Sequence, residues 1–215
     1  MQRLRVKFTR GEELKFISHL DIMRLWDRAF RRAQIPLAYS EGFNPHPKMS
    51  LAVPLAVGVT SEAELMDIYV DKPVTPHWFT SSINQQLPPG ITILGVFLTP
   101  LTVPSLQSQV RFADYRVQLD AFEEAAKGIE AKASAMMAAG HLPWHHHRDT
   151  GERTYDLRPL IAELRVASVT ESVITLEMKL RCDSSGSGRP EQVVLALGFT
   201  QHPLSIHRTR LTLDV

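Results

Sequence analysis

Residues 16–50, FISHLDIMRLWDRAFRRAQIPLAYSEGFNPHPKMS, join an amphipathic segment to a proline-stiffened loop, and the rest of the chain has to be built to fit them. Ser18 stands three residues before Asp21, the S-x-x-D spacing in which a side-chain oxygen satisfies free N–H groups at a helix start. This predicts a helix from His19 to about Ala33. At 100° per residue, Ile22, Met23, Trp26, Ala29, Phe30 and Ala33 share one side, and Arg24, Arg28, Arg31 and Arg32 gather on the other. The helix therefore has an apolar back and a cationic front. Asp21 and Asp27 only partly offset four guanidinium groups, which makes an anionic partner such as phosphate the natural occupant of the cationic side. A solvated arginine face is the alternative.

Ile35-Pro36 ends the helix, because proline cannot continue it and biases its predecessor to extended geometry. In YSEGFNPHPKMS beyond it, Gly42 permits a turn and two prolines fix the backbone on either side of His46. Tyr39 and Phe43 are placed to stack on bases, with Asn44 and His46 as further loop contacts and Lys48 as a phosphate contact. The expectation is that the arginine face and the Pro-His-Pro bend converge on one electropositive concavity. His19, at the first helical position, and His46 form the alternative, a metal-independent acid/base pair for cleaving an RNA 2′-hydroxyl linkage.

Hydrophobic periodicity supplies the scaffold. Residues 3–9 alternate as a strand, 37–39 read as the start of a second, and 49–59, broken by Pro54 and Gly58, read as an edge strand or irregular hairpin. Residues 64–70 alternate again; Thr75-Pro76 opens a helix reaching residue 87, and 91–98 form a β-branched run. The order strand, helix, strand, strand, helix, strand is that of a split βαβ domain, and residues 100–111 read as a connector. A second round follows: a strand from Tyr115, an alanine-rich helix over 123–139, a basic hairpin over 141–168, a strand over 173–180 that pairs with the preceding run 160–169, a helix over 192–197 and a last strand over 204–213. The predicted class is α+β, with two ferredoxin-like domains (1–100 and 112–215, linker 101–111), each an antiparallel sheet with helices on one face.

Composition enters as a set of exclusions. The single cysteine, Cys182, rules out an internal disulfide and a cysteine-based zinc or iron–sulfur site made by this chain alone. No cofactor of its own is expected. There is no apolar run of membrane-spanning length and no apolar signal core, so the protein is expected to be cytoplasmic, without a membrane partner. P-loop, G-x-G-x-x-G, G-x-S-x-G and H-E-x-x-H motifs are all lacking. The net charge of +1 hides an asymmetry: residues 1–50 hold ten Lys or Arg against five Asp or Glu, residues 51–130 four against nine. Positive charge is thus concentrated around the predicted helix. His145 and His147 have the alternate spacing that would let a strand present both to one ion, yet no carboxylate partner is evident, and an exposed hairpin is the simpler reading. Asp156 and Arg158 share a strand face and are expected to pair within the fold.

KFISHLDIMR, RRAQIPLAYSEGFNPHPKMSLAVPLAVG, YDLRPLI, RPEQVVLALG and IHRTRL together resemble the radical-SAM-linked protein family, a domain of unknown function fused to or encoded beside B12-binding-type radical SAM proteins. Glu41 stands where that pattern usually has glutamine, and Ala56 where it has proline. The resemblance implies a non-catalytic accessory role. A radical SAM partner would carry the iron–sulfur cluster and SAM, while this chain presents a substrate, with transfer or ribosomal RNA favoured; a protein–protein adaptor is the remaining alternative.

Overall fold

Along β1 (Gln2–Arg10), Leu4, Val6 and Phe8 turn to one face and Arg3, Arg5 and Lys7 to the other, and this alternation decides how the first part of the chain packs. The computed structural model describes residues 1–148 and 151–214, which fall into two units: Met1–Val110 with Asp214, and Arg111–Leu213. The chain is α+β, with largely antiparallel strands.

In the first unit β1 is followed by α1 (His19–Arg32), β2 (Met49–Leu51), β3 (Thr60–Val70), α2 (Pro76–Asn84) and β4 (Ile93–Thr99). The strands lie in the order β2-β3-β1-β4, every neighbouring pair antiparallel. The register sets Leu4 opposite Ile68 and Val6 opposite Met66, giving one continuous apolar face. Onto that face α1 inserts Ile22, Trp26, Ala29 and Phe30, and α2 inserts Phe79 and Ile83. Trp26 meets Phe8 edge-on at 5.0 Å between ring centroids and stacks on Phe30 at 5.3 Å; Phe30 in turn meets Phe79 at 6.0 Å. Each ring is fully buried and contributes about 2 kcal/mol or more through area removed from water.

The opposite face of β1 is held by charge. Asp67, 1 % exposed, accepts from Arg5 Nε at 2.8 Å and Nη2 at 3.0 Å, with Arg3 Nη1 at 3.9 Å. Arg3 also donates to the carbonyls of Pro100, Val103 (2.8 Å) and Pro104 (3.4 Å). Of residues 100–111, read from sequence as a connector, those up to 110 belong to the first unit and contain α3 (Leu106–Gln109), from which Gln107 Nε2 donates to the Leu51 carbonyl at 2.8 Å. Arg10 fixes the turn before α1 in the same way, through the carbonyls of Leu14 (3.0 Å), Lys15 (3.3 Å) and Ile17.

The second unit runs through β5 (Val110–Asp120), α4 (Ile129–Ala138), β6 (Pro143–Arg148), β7 (Gly151–Asp156), β8 (Ile161–Val169), β9 (Val173–Asp183), β10 (Gly186–Ser187), α5 (Pro190–Ala196) and β11 (Ser205–Leu213). Its sheet has the order β8-β9-β5-β11, with β10 on the far end of β9. Val117, Leu119, Ile174, Leu176, Met178 and Leu180 are buried by strict alternation.

Several elements differ from the sequence expectation. The helix foreseen over 123–139 is split, because Gly128 takes φ 66° and separates a 3-10 turn at Glu124–Ala126 from α4. The helix opened by Thr75-Pro76 stops at Asn84. The basic hairpin foreseen over 141–168 is confined to β6 and β7; beyond it β8 pairs with β9, as expected for the runs 160–169 and 173–180. Residues 37–39 form isolated bridges, Leu37 with Val70 and Tyr39 with Pro47, and no strand.

Candidate functional site

Sequence dictates the start and end of α1. Ser18 caps it by accepting from the Asp21 N–H at 3.2 Å while its hydroxyl donates to the Asp21 carboxylate at 2.7 Å. That hydroxyl, helped by Arg24, holds the Asp21 carboxyl below its ordinary value. At the other end Gln34 takes φ 55°, and the Ile35 N–H reaches back to the Phe30 carbonyl at 3.0 Å, closing the helix and aiming the chain at Pro36.

The four arginines have different surroundings. Arg24, Arg28 and Arg32, spaced four residues apart, form one stripe and line a groove of about 530 Å³, whose opposite wall is Gln85, Gln86, Leu87 and Pro88 after α2. Leu14, Ile17 and Leu25 give it an apolar lining. Arg24 Nη1 reaches Asp21 at 3.2 Å, and Arg32 donates from Nε to Gln86 Oε1 at 3.1 Å and from Nη2 to the Gln86 carbonyl at 2.6 Å. Arg28, between them, has no hydrogen-bond or ion-pair partner among the described residues and is exposed. Arg31 lies off the stripe: Asp27 accepts from its Nε at 2.9 Å and, with a smaller contribution from Tyr39, raises its pKa above the usual guanidinium value.

The loop is closed by its own backbone. Ser40 N–H donates to the His46 carbonyl at 2.8 Å, His46 N–H donates to Ser40 Oγ at 3.0 Å, and Lys48 N–H donates to the Ala38 carbonyl at 2.8 Å. Gly42, at φ 121°, makes the turn that other residues would resist. Phe43 is fully exposed at the tip beside Asn44, His46 is exposed, Tyr39 is 38 % exposed, and Lys48 is partly exposed. None of these loop residues lines the arginine groove, and Arg31, which Tyr39 influences electrostatically, lies outside it too. The expected single concavity is thus a groove and a neighbouring loop.

His19 and His46 are not brought together. The turn before His19 is held to Arg10 and Gly58, whereas the loop bearing His46 follows the bridge from Leu37 to Val70 beyond the other end of α1. A helix of 14 residues separates the two ends by about 20 Å, too far for a shared proton. His19 Nδ1 is buried and lacks a partner among the described residues. In the β6–β7 hairpin His145 Nδ1 lies 3.2 Å from Thr154 Oγ1; among the described residues no group of three His, Cys, Asp or Glu is placed to hold a metal ion. The side chains of Asp156 and Arg158 do not pair with each other. Asp156 binds His141 Nδ1 at 2.7 Å and accepts from the N–H of Leu142 and of Arg158, which lowers its carboxyl pKa, while the Arg158 guanidinium donates to the carbonyls of Ile161 and Met137.

Sequence reasoning missed a second concavity, of about 360 Å³, on the open face of the second sheet around Asp114 and Arg210. Asp114 sits in the part of β5 that precedes the recognised strand, and its neighbours come from β8, β9 and β11, so only the register reveals them.

A family model for uncharacterized proteins conserved in bacteria (DUF2344) matches residues 3–190. The chain belongs to this family. For this DUF2344 protein no curated protein gives a match. Among solved structures its fold is similar to a chain in the crystal structure of a Cbf5-Nop10-Gar1 complex, at 10% identity and TM-score 0.52, over 97% of this chain and 48% of that one. It is also similar to a chain of the archaeal box H/ACA sRNP Nop10-Cbf5 complex (9% identity, TM-score 0.51, 97% and 48% covered). A third similar chain is in an H/ACA RNP bound to a substrate RNA containing 2′-deoxyuridine (10% identity, TM-score 0.50, 97% and 47% covered). The DUF2344 chain therefore spans about half the length of those chains, and at this identity the likeness is one of fold. Among its described residues, no helix is long and apolar enough to cross a membrane.

Proposed function

We propose that this protein binds RNA through the arginine stripe of α1, as a non-catalytic subunit that presents the RNA to a partner enzyme. The observation that carries the proposal is Arg28: an exposed guanidinium without a partner among the described residues, in an open groove between two further arginines one turn away on either side. Like charges at this spacing repel, and a phosphate chain laid along the groove removes the repulsion. Tyr39, Phe43, Asn44, His46 and Lys48 extend the surface beyond the C-terminal end of α1, with Phe43 free to stack on a base. Fold similarity to a chain of an H/ACA RNP bound to a substrate RNA is consistent with the proposal. The partner, a radical SAM protein supplying an iron–sulfur cluster and SAM, rests on the motif resemblance alone. The same reading takes each unit as a split βαβ fold of the ferredoxin-like kind, which the strand orders support.

The test is binding of the purified protein to total cellular RNA by filter retention. Arg28→Glu should weaken binding at least tenfold, while Lys127→Glu, at an exposed site in the second unit that pairs with Glu124 alone among the described residues, should leave it unchanged. Equal affinities for wild type and Arg28→Glu would overturn the proposal.

A further inference from the structure

On the open face of the second sheet nearly every charge is matched. Arg165 and Arg116 serve Glu177, the latter at 3.9 Å, and Lys179 reaches Glu163 at 3.4 Å while lying over the Phe112 ring at 5.3 Å. Two groups are left over. The half-buried Asp114 carboxylate accepts no hydrogen bond among the described residues, and Arg210 on β11 makes neither a hydrogen bond nor an ion pair there. Asp114 is influenced electrostatically by Lys179, opposite it in register, and less by Arg210, without a bond to either, and Asp114 and Arg210 both line the cavity of about 360 Å³. A carboxylate and a guanidinium held in one cavity but unused by the fold call for a ligand with donors for the first and an anion for the second.

We propose that this cavity is a binding site for a guanine nucleotide, either free or within an RNA chain. The argument is one of matching edges. A carboxylate presents two acceptors side by side, and guanine presents N1–H and the N2 amino group side by side in one plane. Adenine and cytosine place a ring acceptor beside their amino donors, and uracil flanks its single N–H with two carbonyls, so each sets an acceptor against the carboxylate. The phosphate goes to Arg210, which offers planar paired donors. Tyr115 and Met178 contribute to the wall, and the volume falls at the small end of ligand sites, the size of one nucleotide. Burial raises the Asp114 carboxyl pKa, so acidification protonates the acceptor and releases the ligand at a higher pH than for an exposed aspartate. This site does not depend on the α1 groove.

Isothermal titration of the full chain at pH 8 with 5′-GMP, AMP, CMP and UMP, and with short single-stranded RNAs with and without guanine, tests the proposal. GMP, or guanine-containing RNA, should bind about tenfold or more tighter than its counterparts. Preference seen only with RNA assigns the site to a base within a chain, and preference with GMP alone assigns it to the free nucleotide. Asp114→Asn should remove the preference, whereas Arg210→Ala should weaken all nucleotides together. Equal binding of the four nucleotides and of the RNAs, no binding of either kind, or a guanine preference that persists in a folded Asp114→Asn protein would overturn it.

Discussion

Arg28 and Asp67 show how the same chemistry serves two ends. Arg5 is spent inside the protein on Asp67, in a two-pronged bond sealed by burial, whereas Arg28 is left to solvent. Replacing Asp67 with alanine would strand the guanidinium groups of Arg5 and Arg3 without their carboxylate. The expected loss is about 3 kcal/mol or more of unfolding free energy, read as a lower urea midpoint at unchanged slope. Cys182 offers a second check at this scale. Burial pushes its thiol up to about 11, so at pH 8 only about a thousandth is thiolate, and iodoacetamide should modify it far more slowly in the native protein than in urea. Equal rates would contradict its placement.

At the scale of elements, α1 was legible because its signals are local: the Ser18 cap, the 3.6-residue recurrence of apolar positions and the Ile35-Pro36 stop all lie within one stretch. Ser18→Ala should cost about 1 kcal/mol, measured by chemical denaturation, since the Asp21 N–H loses its acceptor. The division of the arginines was not legible. It depends on Gln85, Gln86, Leu87 and Pro88, more than fifty residues away from Arg32 in sequence, which build the other wall of the groove. The break at Gly128 was hidden for a different reason: alanine-rich flanks favour helix on either side, and only the left-handed φ of the glycine shows that the chain turns there. Likewise the sequence offers Asp114 as a strand residue but not as one of two groups on a charged face left without a bond among the described residues, because its neighbours are set by strand register.

For the whole chain, each unit carries the order strand, helix, strand, strand, helix, strand, with α3 added in the first and the β6–β7 hairpin and β10 in the second. The periodicities of the sequence foretold that order well, since alternating and helical patterns survive without any knowledge of partners. The concentration of positive charge in residues 1–50 has a structural outcome too: part of it is consumed by Asp67 and by backbone carbonyls, and the remainder surfaces on α1. Whether that remainder holds RNA is tested most directly by the salt dependence of binding to single-stranded RNA, compared between wild type and a triple Arg24→Gln, Arg28→Gln, Arg32→Gln variant. Each contacted phosphate contributes about 0.7 to the slope of log affinity against log salt, so the variant should show a slope shallower by about two. An unchanged slope, with binding intact, would mean that the arginine groove is not where the RNA lies.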